Sequence, residues 1–243
     1  MHQYVERWYR KYMQAHDLVS FSVKVKESDL YIFAEKDLRE QAEARLAKER
    51  RNLEAYIRYH PQFATSLVPL AIPPFAPPIC RLMGWAAQEA GVGPMAAVAG
   101  AINEAVAEEL LPLSSELIIE NGGDILVASS RERIVAIYAG EDSPFSFKVG
   151  IRLPGGEVWG VATSSGKVGP SLSFGCADAV VVVAASAALA DAWATSLANR
   201  VRKRSDVASV LHFARRIPSL EGVVVIFEDL LGVEGKIQLE KLA

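Results

Sequence analysis

The chain has 243 residues, 51% of them hydrophobic and 23% charged, with a formal net charge of −3. That balance suits a core-forming protein, excludes a disordered chain, and leaves no general electrostatic pull toward nucleic acid. Two cysteines, Cys80 and Cys176, and four scattered histidines provide no CxxC or HxxxH spacing, so neither a disulfide framework nor a zinc site is expected.

The first ten residues lack the apolar run of a signal peptide, which makes the cytoplasm the expected location. Residues 21–26 alternate with period two, turn at Glu27-Ser28-Asp29 and continue into Leu30-Tyr31-Ile32-Phe33-Ala34, the pattern of a hairpin. From 36 to 59 the period becomes helical, with Leu38, Ala42, Leu46, Leu53 and Ile57 on one face. Pro69, Pro73, Pro74, Pro77 and Pro78 then force an extended crossing segment. Its apolar residues Leu70, Ile72, Phe75 and Ile79 are expected to pack on the core. Gly91 ends one short helix, and Pro94 starts a second over 95–110, opening with small residues that allow close backbone approach. Short strands with tight turns follow through residue 153.

Residues 180–183 are four valines, a short β-branched run that predicts a strand buried on both faces. Ser186 is the predicted N-cap of the next helix, whose core stripe is Leu189, Trp193 and Leu197. The span 179–198 is long enough to cross a bilayer, but it carries Asp191 near its centre and is better read as strand then helix. Strand 222–227 and a last short strand near 236–239 complete the chain. The predicted class is α+β: a mostly antiparallel sheet with helices packed on one side. One domain is expected over 1–243, with the hairpin and long helix in 1–68, the proline-rich crossing in 69–79 and the core in 80–243.

Three short elements carry candidate chemistry. Asp191 and Thr195 lie about 40° apart on the helix, opposite its core stripe, among alanines. A carboxylate and a hydroxyl so placed suit a hard, oxygen-seeking cation such as Mg²⁺. Asn121-Gly122-Gly123-Asp124 fits a tight hairpin turn, and Thr163-Ser164-Ser165-Gly166 is a hydroxyl-rich loop. Turns of this kind also expose backbone N–H groups to anions. No P-loop, Rossmann or Gly-x-Ser-x-Gly spacing occurs.

In this order, Asn121-Gly122-Gly123-Asp124, Thr163-Ser164-Ser165-Gly166 and Ala190-Asp191-Ala192-Trp193-Ala194-Thr195 resemble the motifs of the ApbE family of FAD:protein FMN transferases. The likeness covers roughly residues 94–199 and is closer still to a shorter ApbE-like family of unknown function. The resemblance implies a duplicated, T-fold-like α+β architecture with a flavin-nucleotide site between sheet and helices. It implies Mg²⁺ held by Asp191, Thr195 and a main-chain oxygen near Val98 or Ala99, with Asn121, Gly122, Gly123, Asp124, Thr163, Ser164, Ser165 and Gly166 around FAD or FMN. The chain also departs from the family. Ala99-Gly100 stands where the transferases have Lys-Gly, and a short segment from Lys167 to Cys176 replaces their longer His- and Arg-bearing insert. Lys167 is the one candidate there for the missing positive charge.

These departures count against FMN transfer. The expectation is therefore a divergent ApbE-like protein that binds a phosphate-containing small molecule, a flavin nucleotide or another nucleotide, with Mg²⁺. Any chemistry retained would be Mg²⁺-dependent flavin-nucleotide transfer or pyrophosphate cleavage. The alternative is a non-catalytic T-fold-like assembly or protein-interaction subunit with a decayed site. A homodimer is expected, with no nucleic-acid or membrane partner.

Overall fold

The computed structural model describes residues 7–166 and 175–242. After a 3₁₀ turn (Trp8–Tyr12), a hairpin of β1 (Val19–Val25) and β2 (Ser28–Ala34) leads into four helices, α1 (Arg39–Tyr59), α2 (Gln62–Thr65), α3 (Pro78–Ala90) and α4 (Val98–Leu110). A second 3₁₀ turn, Pro94–Ala97, leads directly into α4. Five strands follow: β3 (Leu117–Asn121), β4 (Asp124–Ser129), β5 (Arg133–Ala136), β6 (Val149–Leu153) and β7 (Glu157–Ser164). The chain then runs through β8 (Ala179–Ala184), α5 (Ala187–Ala198), α6 (Asp206–Ala214), β9 (Gly222–Phe227), β10 (Leu230–Gly235) and β11 (Gln238–Lys241).

Among the described residues, eight strands form one antiparallel sheet in the order β1-β2-β3-β4-β7-β8-β9-β10. The valine run lies deep within it. Every residue of β8 is buried, and successive side chains serve two different cores. Val180, Val182 and Ala184 face the helices, while Ala179, Val181 and Val183 face a small sheet of order β11-β6-β5. A strand sandwiched in this way has no solvated face to mark with polar residues, which is why the sequence reads as continuous apolar. Each such valine contributes about 1.5–3 kcal/mol of burial, so polar substitutions anywhere in β8 should be costly.

The helices lie on one side of the main sheet, as the pattern predicts. The covering of the other side is new: β5, β6 and β11 come from distant parts of the sequence and close over β4, β7, β8 and β9. Four further elements, α2, β7, β10 and α6, also escape the sequence reading, and the expected loop at Thr163-Ser164 is the end of β7. Gly232 in β10 has no side chain, and a Cβ there would stand 2.6 Å from Leu211 of α6, so the two elements define each other only in three dimensions. The proline-rich crossing packs through Ile72, whose Cγ1 would be 2.2 Å from a Cβ on Gly84. Phe75, expected to share that packing, is 84% exposed. No single described helix is long and apolar enough to cross a membrane.

A buried polar cluster ties the two sheets together. The Glu116 carboxylate accepts bonds from Ser129 Oγ at 2.5 Å, Ser130 N at 2.8 Å, Ser130 Oγ, and Arg133 at 3.0 Å. Arg133, on β5, also grips Asp17 with two bonds of 2.8 Å. Burial acts to raise the Glu116 pKa. The bonds from Ser129, Ser130 and Arg133 together outweigh it and hold the carboxyl at about 2 instead of 4.5. A folded-state pKa below the unfolded value stabilises the fold above about pH 4.5, and that stability is lost as pH falls toward 2. Glu116→Gln is expected to cost about 1–3 kcal/mol near neutral pH and to flatten the acid limb of the stability curve. Urea melts across that range check this, and an unaltered acid limb would disprove the role of the cluster.

Candidate functional site

Helices α4 and α5 cross at a point where neither has room for a side chain. A Cβ on Gly100 would lie 2.1 Å from the carbonyl oxygen of Ala187. At this crossing each helix caps the other. Glu104 of α4 accepts from Ser186 Oγ at 2.6 Å and from Ala188 N at 3.0 Å, at the start of α5. Asp191 of α5 accepts with a single oxygen, Oδ2, from Ala99 N at 3.1 Å and Gly100 N at 3.0 Å, at the start of α4. Ser186 is the N-cap of α5, as its position predicts, and accepts from Leu189 N at 3.2 Å. Both carboxylates therefore sit where the first-turn N–H groups of a helix lack intrahelical partners.

Asp191 spends only half of its carboxylate on this cap, and Oδ1 has no partner among the described residues. Most of α5 is buried, Leu189, Trp193 and Leu197 included, whereas Asp191 and Thr195 keep partial exposure and line a cleft of about 1420 Å³.

The Asn121-Gly122-Gly123-Asp124 turn brings a second carboxylate to the same place. Gly122 (φ 71°) and Gly123 (φ 101°) adopt the left-handed backbone that a two-residue hairpin demands. Asp124, at the head of β4, accepts from Thr163 N at 3.2 Å through Oδ1, while its carbonyl accepts from Asn103 Nδ2 at 3.0 Å. Its Oδ2 is uncommitted among the described residues. Burial raises the pKa of Asp124 well above the usual carboxylate range, and the charge of Asp191 raises it further. Burial likewise pushes Asp191 up to about 7, against the pull of the Gly100 and Ala99 N–H groups. Two neighbouring acids, each with one free oxygen and each resisting ionisation, form a site that a cation would relieve.

The other residues singled out from the sequence divide by position. Gly122, Gly123, Thr163 and Ser165 line the cleft with Asp124, Asp191 and Thr195. Asn121 stands behind it, buried, with Nδ2 donating to Ala99 O at 3.4 Å. Ser164 is buried in the β7–β8 register, and Gly166 is tied back to Ala177 O at 3.0 Å; neither reaches the cleft. In a strand, neighbouring side chains point to opposite faces, so a run of hydroxyls cannot all face one cavity. Lys167 lies outside the described residues. Of the two main-chain oxygens proposed for the metal, that of Ala99 already receives the Asn121 amide.

Three participants were not identified as site residues from the sequence. Asn103, a lone amide in a small-residue helix, holds the glycine turn and leaves its Oδ1 buried without a partner. Glu104 fixes the helix crossing. Trp8, Tyr12, Tyr138 and Phe147 form an aromatic wall of the cleft, with Trp8 edge-on to Tyr138 at 5.1 Å and Tyr138 stacked on Phe147 at 5.2 Å. Phe147 takes a left-handed backbone (φ 56°), strained for an aromatic residue. Only a polar residue out of place in a helix was visible beforehand; the wall joins segments 130 residues apart.

A large antiparallel sheet with helices on one side, and a cleft where α4, α5 and a glycine hairpin meet, define an α+β protein of the ApbE-like class. The crystal structure of the Pseudomonas stutzeri flavinyl transferase ApbE in its apo form shares the fold, with a TM-score of 0.52 over 90% of this chain and 94% of that one, at 14% identity. A family model described as AbpE bacteria matches residues 10–218, and the chain belongs to that family. It is also 42% identical over 228 residues to a UPF0280 protein of Methanococcus vannielii, covering 91% of this chain and 92% of that protein. A UPF0280 protein of Methanocaldococcus jannaschii is 40% identical over 220 residues, covering 88% and 89%.

Proposed function

We propose that this protein binds a flavin nucleotide, or another nucleotide carrying a diphosphate, as a Mg²⁺ complex in the cleft beside the glycine turn. The observation that carries this reading is the pair Asp124 and Asp191, each with one carboxylate oxygen free beside the cleft. The donor set fits the ion. Among the described residues no three His, Cys, Asp or Glu side chains cluster together, which disfavours a dedicated all-protein cage. Mg²⁺ characteristically takes one or two carboxylates and completes its shell with water and substrate phosphates. Asp191, Asp124 and the Thr195 hydroxyl would hold it, and when bound it would withdraw charge from a phosphoanhydride.

The protein's own groups supply the rest. The aromatic wall offers a face for a planar ring, and the Ala99 and Gly100 N–H groups hold Asp191 in one orientation. A decayed site would be expected to have a cation clamped onto Asp191, but among the described residues its partners are these two N–H groups. FMN transfer is not part of the proposal, because Ala99 supplies no cation at the position where the transferases carry lysine.

Titration of the purified protein with FAD, with and without Mg²⁺, tests the reading by flavin fluorescence and calorimetry. Binding is expected to require Mg²⁺ and to disappear on adding a chelator. Flavin affinity that ignores the metal would remove the basis of the proposal. A fluorescent protein adduct formed with FAD and an acceptor would instead show that transfer persists.

A further inference from the structure

The 3₁₀ turn Trp8–Tyr12 and the residue before it lie against the glycine hairpin, around the buried carboxylate of Glu120. Tyr9 Oη donates to Glu120 Oε1 at 2.7 Å, Arg10 Nε to Oε2 at 2.6 Å, and Gly123 N to Oε1 at 2.9 Å. Arg10 also reaches Asp29 Oδ1 at 2.7 Å. Both oxygens of Glu120 are thus committed without Arg7. Arg7 adds a longer ion pair to this cluster, Nη1 to Glu120 Oε1 at 3.8 Å, and the same Nη1 donates to the main-chain oxygen of Asp29. Arg7 Nη2 has no hydrogen-bond partner among the described residues.

This guanidinium lies beside the bare turn. A Cβ on Gly122 would be 3.4 Å from Arg7 Nη2, and one on Gly123 would meet nothing within 4 Å. Arg7 and Asp124 line the same cleft beside the Gly122-Gly123 turn, and the positive charge of Arg7 acts on Asp124. Two other described cations along the cleft are engaged elsewhere, Lys26 with Glu54 and Arg133 with Asp17 and Glu116. Arg7 also precedes the 10–218 stretch matched by the family model, so it is a feature of this chain outside that match. A planar guanidinium with free N–H groups is the side chain best shaped to take phosphate oxygens in pairs.

We infer that Arg7 is the anion-contacting residue of the cleft: it takes one phosphate of a diphosphate ligand across the Gly122-Gly123 turn, while the metal at Asp124 and Asp191 takes the other. This rests on the metal-assisted binding proposed above.

The test uses the full chain, calorimetry, and two titrants, Mg²⁺ alone and inorganic pyrophosphate in the presence of Mg²⁺. Arg7→Ala is expected to leave Mg²⁺ affinity within about twofold and to weaken pyrophosphate by about tenfold or more, the effect of one charge-assisted contact. Arg7→Lys should recover part of the loss, since an ammonium restores the charge but not the fork. The part of the tryptophan emission that Trp8→Phe removes reports whether the segment stays docked; if Arg7→Ala releases it, Arg7→Gln carries the comparison. Pyrophosphate affinity within about twofold of wild type in the neutral variants overturns the inference, as does an equal loss of Mg²⁺ affinity, which would mean that Arg7 only props the turn. A wild-type protein that binds Mg²⁺ but not pyrophosphate overturns this inference alone. One that binds neither overturns the metal reading with it.

Discussion

Asp191→Asn is expected to abolish the response to Mg²⁺ and, at about pH 8, to raise the melting temperature of the metal-free protein. Both effects follow from the carboxylate pair. The asparagine oxygen can still accept from Ala99 and Gly100, so the cap on α4 survives, while the cost of holding an ionised Asp191 away from water is removed. Removing one charged partner from a low-dielectric site costs about 3 kcal/mol or more in the interaction it served, so Mg²⁺ affinity should fall by about 100-fold or more. Relief of about 1 kcal/mol of that burial cost corresponds to a gain of about 2–4 °C in a chain of this size.

The pH dependence has a definite sign. An acid whose pKa rises from 3.8 to about 7 on folding binds its proton more tightly in the folded state, so ionisation destabilises the fold as pH rises through that interval. The advantage of the asparagine variant should therefore be largest at about pH 8 and shrink toward about pH 6, where wild-type Asp191 takes up its proton. Adding Mg²⁺ should close the gap from the other side, by stabilising wild type alone. Thermal melts at the two pH values, with and without the metal, decide the matter. A variant less stable than wild type throughout would show that Asp191 is a structural cap and no more.

Gly100→Ala should be among the most damaging single-methyl changes in the molecule. The added carbon would lie 2.1 Å from Ala187 O and 2.6 Å from Ala188 N, and these are backbone atoms that cannot rotate away. Overpacking of this kind costs about 1–3 kcal/mol, with the upper end expected because the obstacle is a helix. To make room, α4 must move off α5, which pulls the Ala99 and Gly100 N–H groups from Asp191 and the Ala188 N–H from Glu104. Stability and Mg²⁺ binding should fall together. Alanine at Gly123 is the informative contrast: its Cβ would meet nothing within 4 Å, and the penalty comes only from φ 101°. Chemical denaturation and metal titration of the two variants separate crowding from backbone strain. A Gly100→Ala protein with wild-type stability would mean that the helices are not in contact at this crossing.

Local chemistry in the sequence was enough to place the main elements of the site. Four successive β-branched valines favour a strand without a wet face, and β8 is buried throughout. Ser186 was well placed to cap what followed, since a hydroxyl before an alanine-rich run can meet an orphan N–H, and it does. The paired glycines fixed the hairpin, because positive φ at two successive positions suits no other residue as well. The spacing of Asp191 and Thr195 put them on one side of their helix, and the resemblance of three short motifs to the ApbE family pointed to the fold.

Other features depended on distance in space. Nothing in the spacing of Glu104 or Asp191 says that each caps the other's helix, because that requires a crossing at Gly100 between segments nearly 90 residues apart. The small sheet was invisible for the same reason: β5, β6 and β11 satisfy one another's hydrogen bonds only after the chain has returned twice to the same face. Ser164 and Gly166 looked equivalent to Thr163 and Ser165 in a row of letters, and strand alternation together with a bond to Ala177 sent them elsewhere. Arg7 belongs with these features, since it can lie against the glycine turn only because Glu120 and Asp29 draw the N-terminal segment across the sheet. Sequence determined which residues could act, through properties each carries in its own few neighbours. Tertiary structure decided which of them meet, because meeting depends on packing between segments that local propensities do not encode.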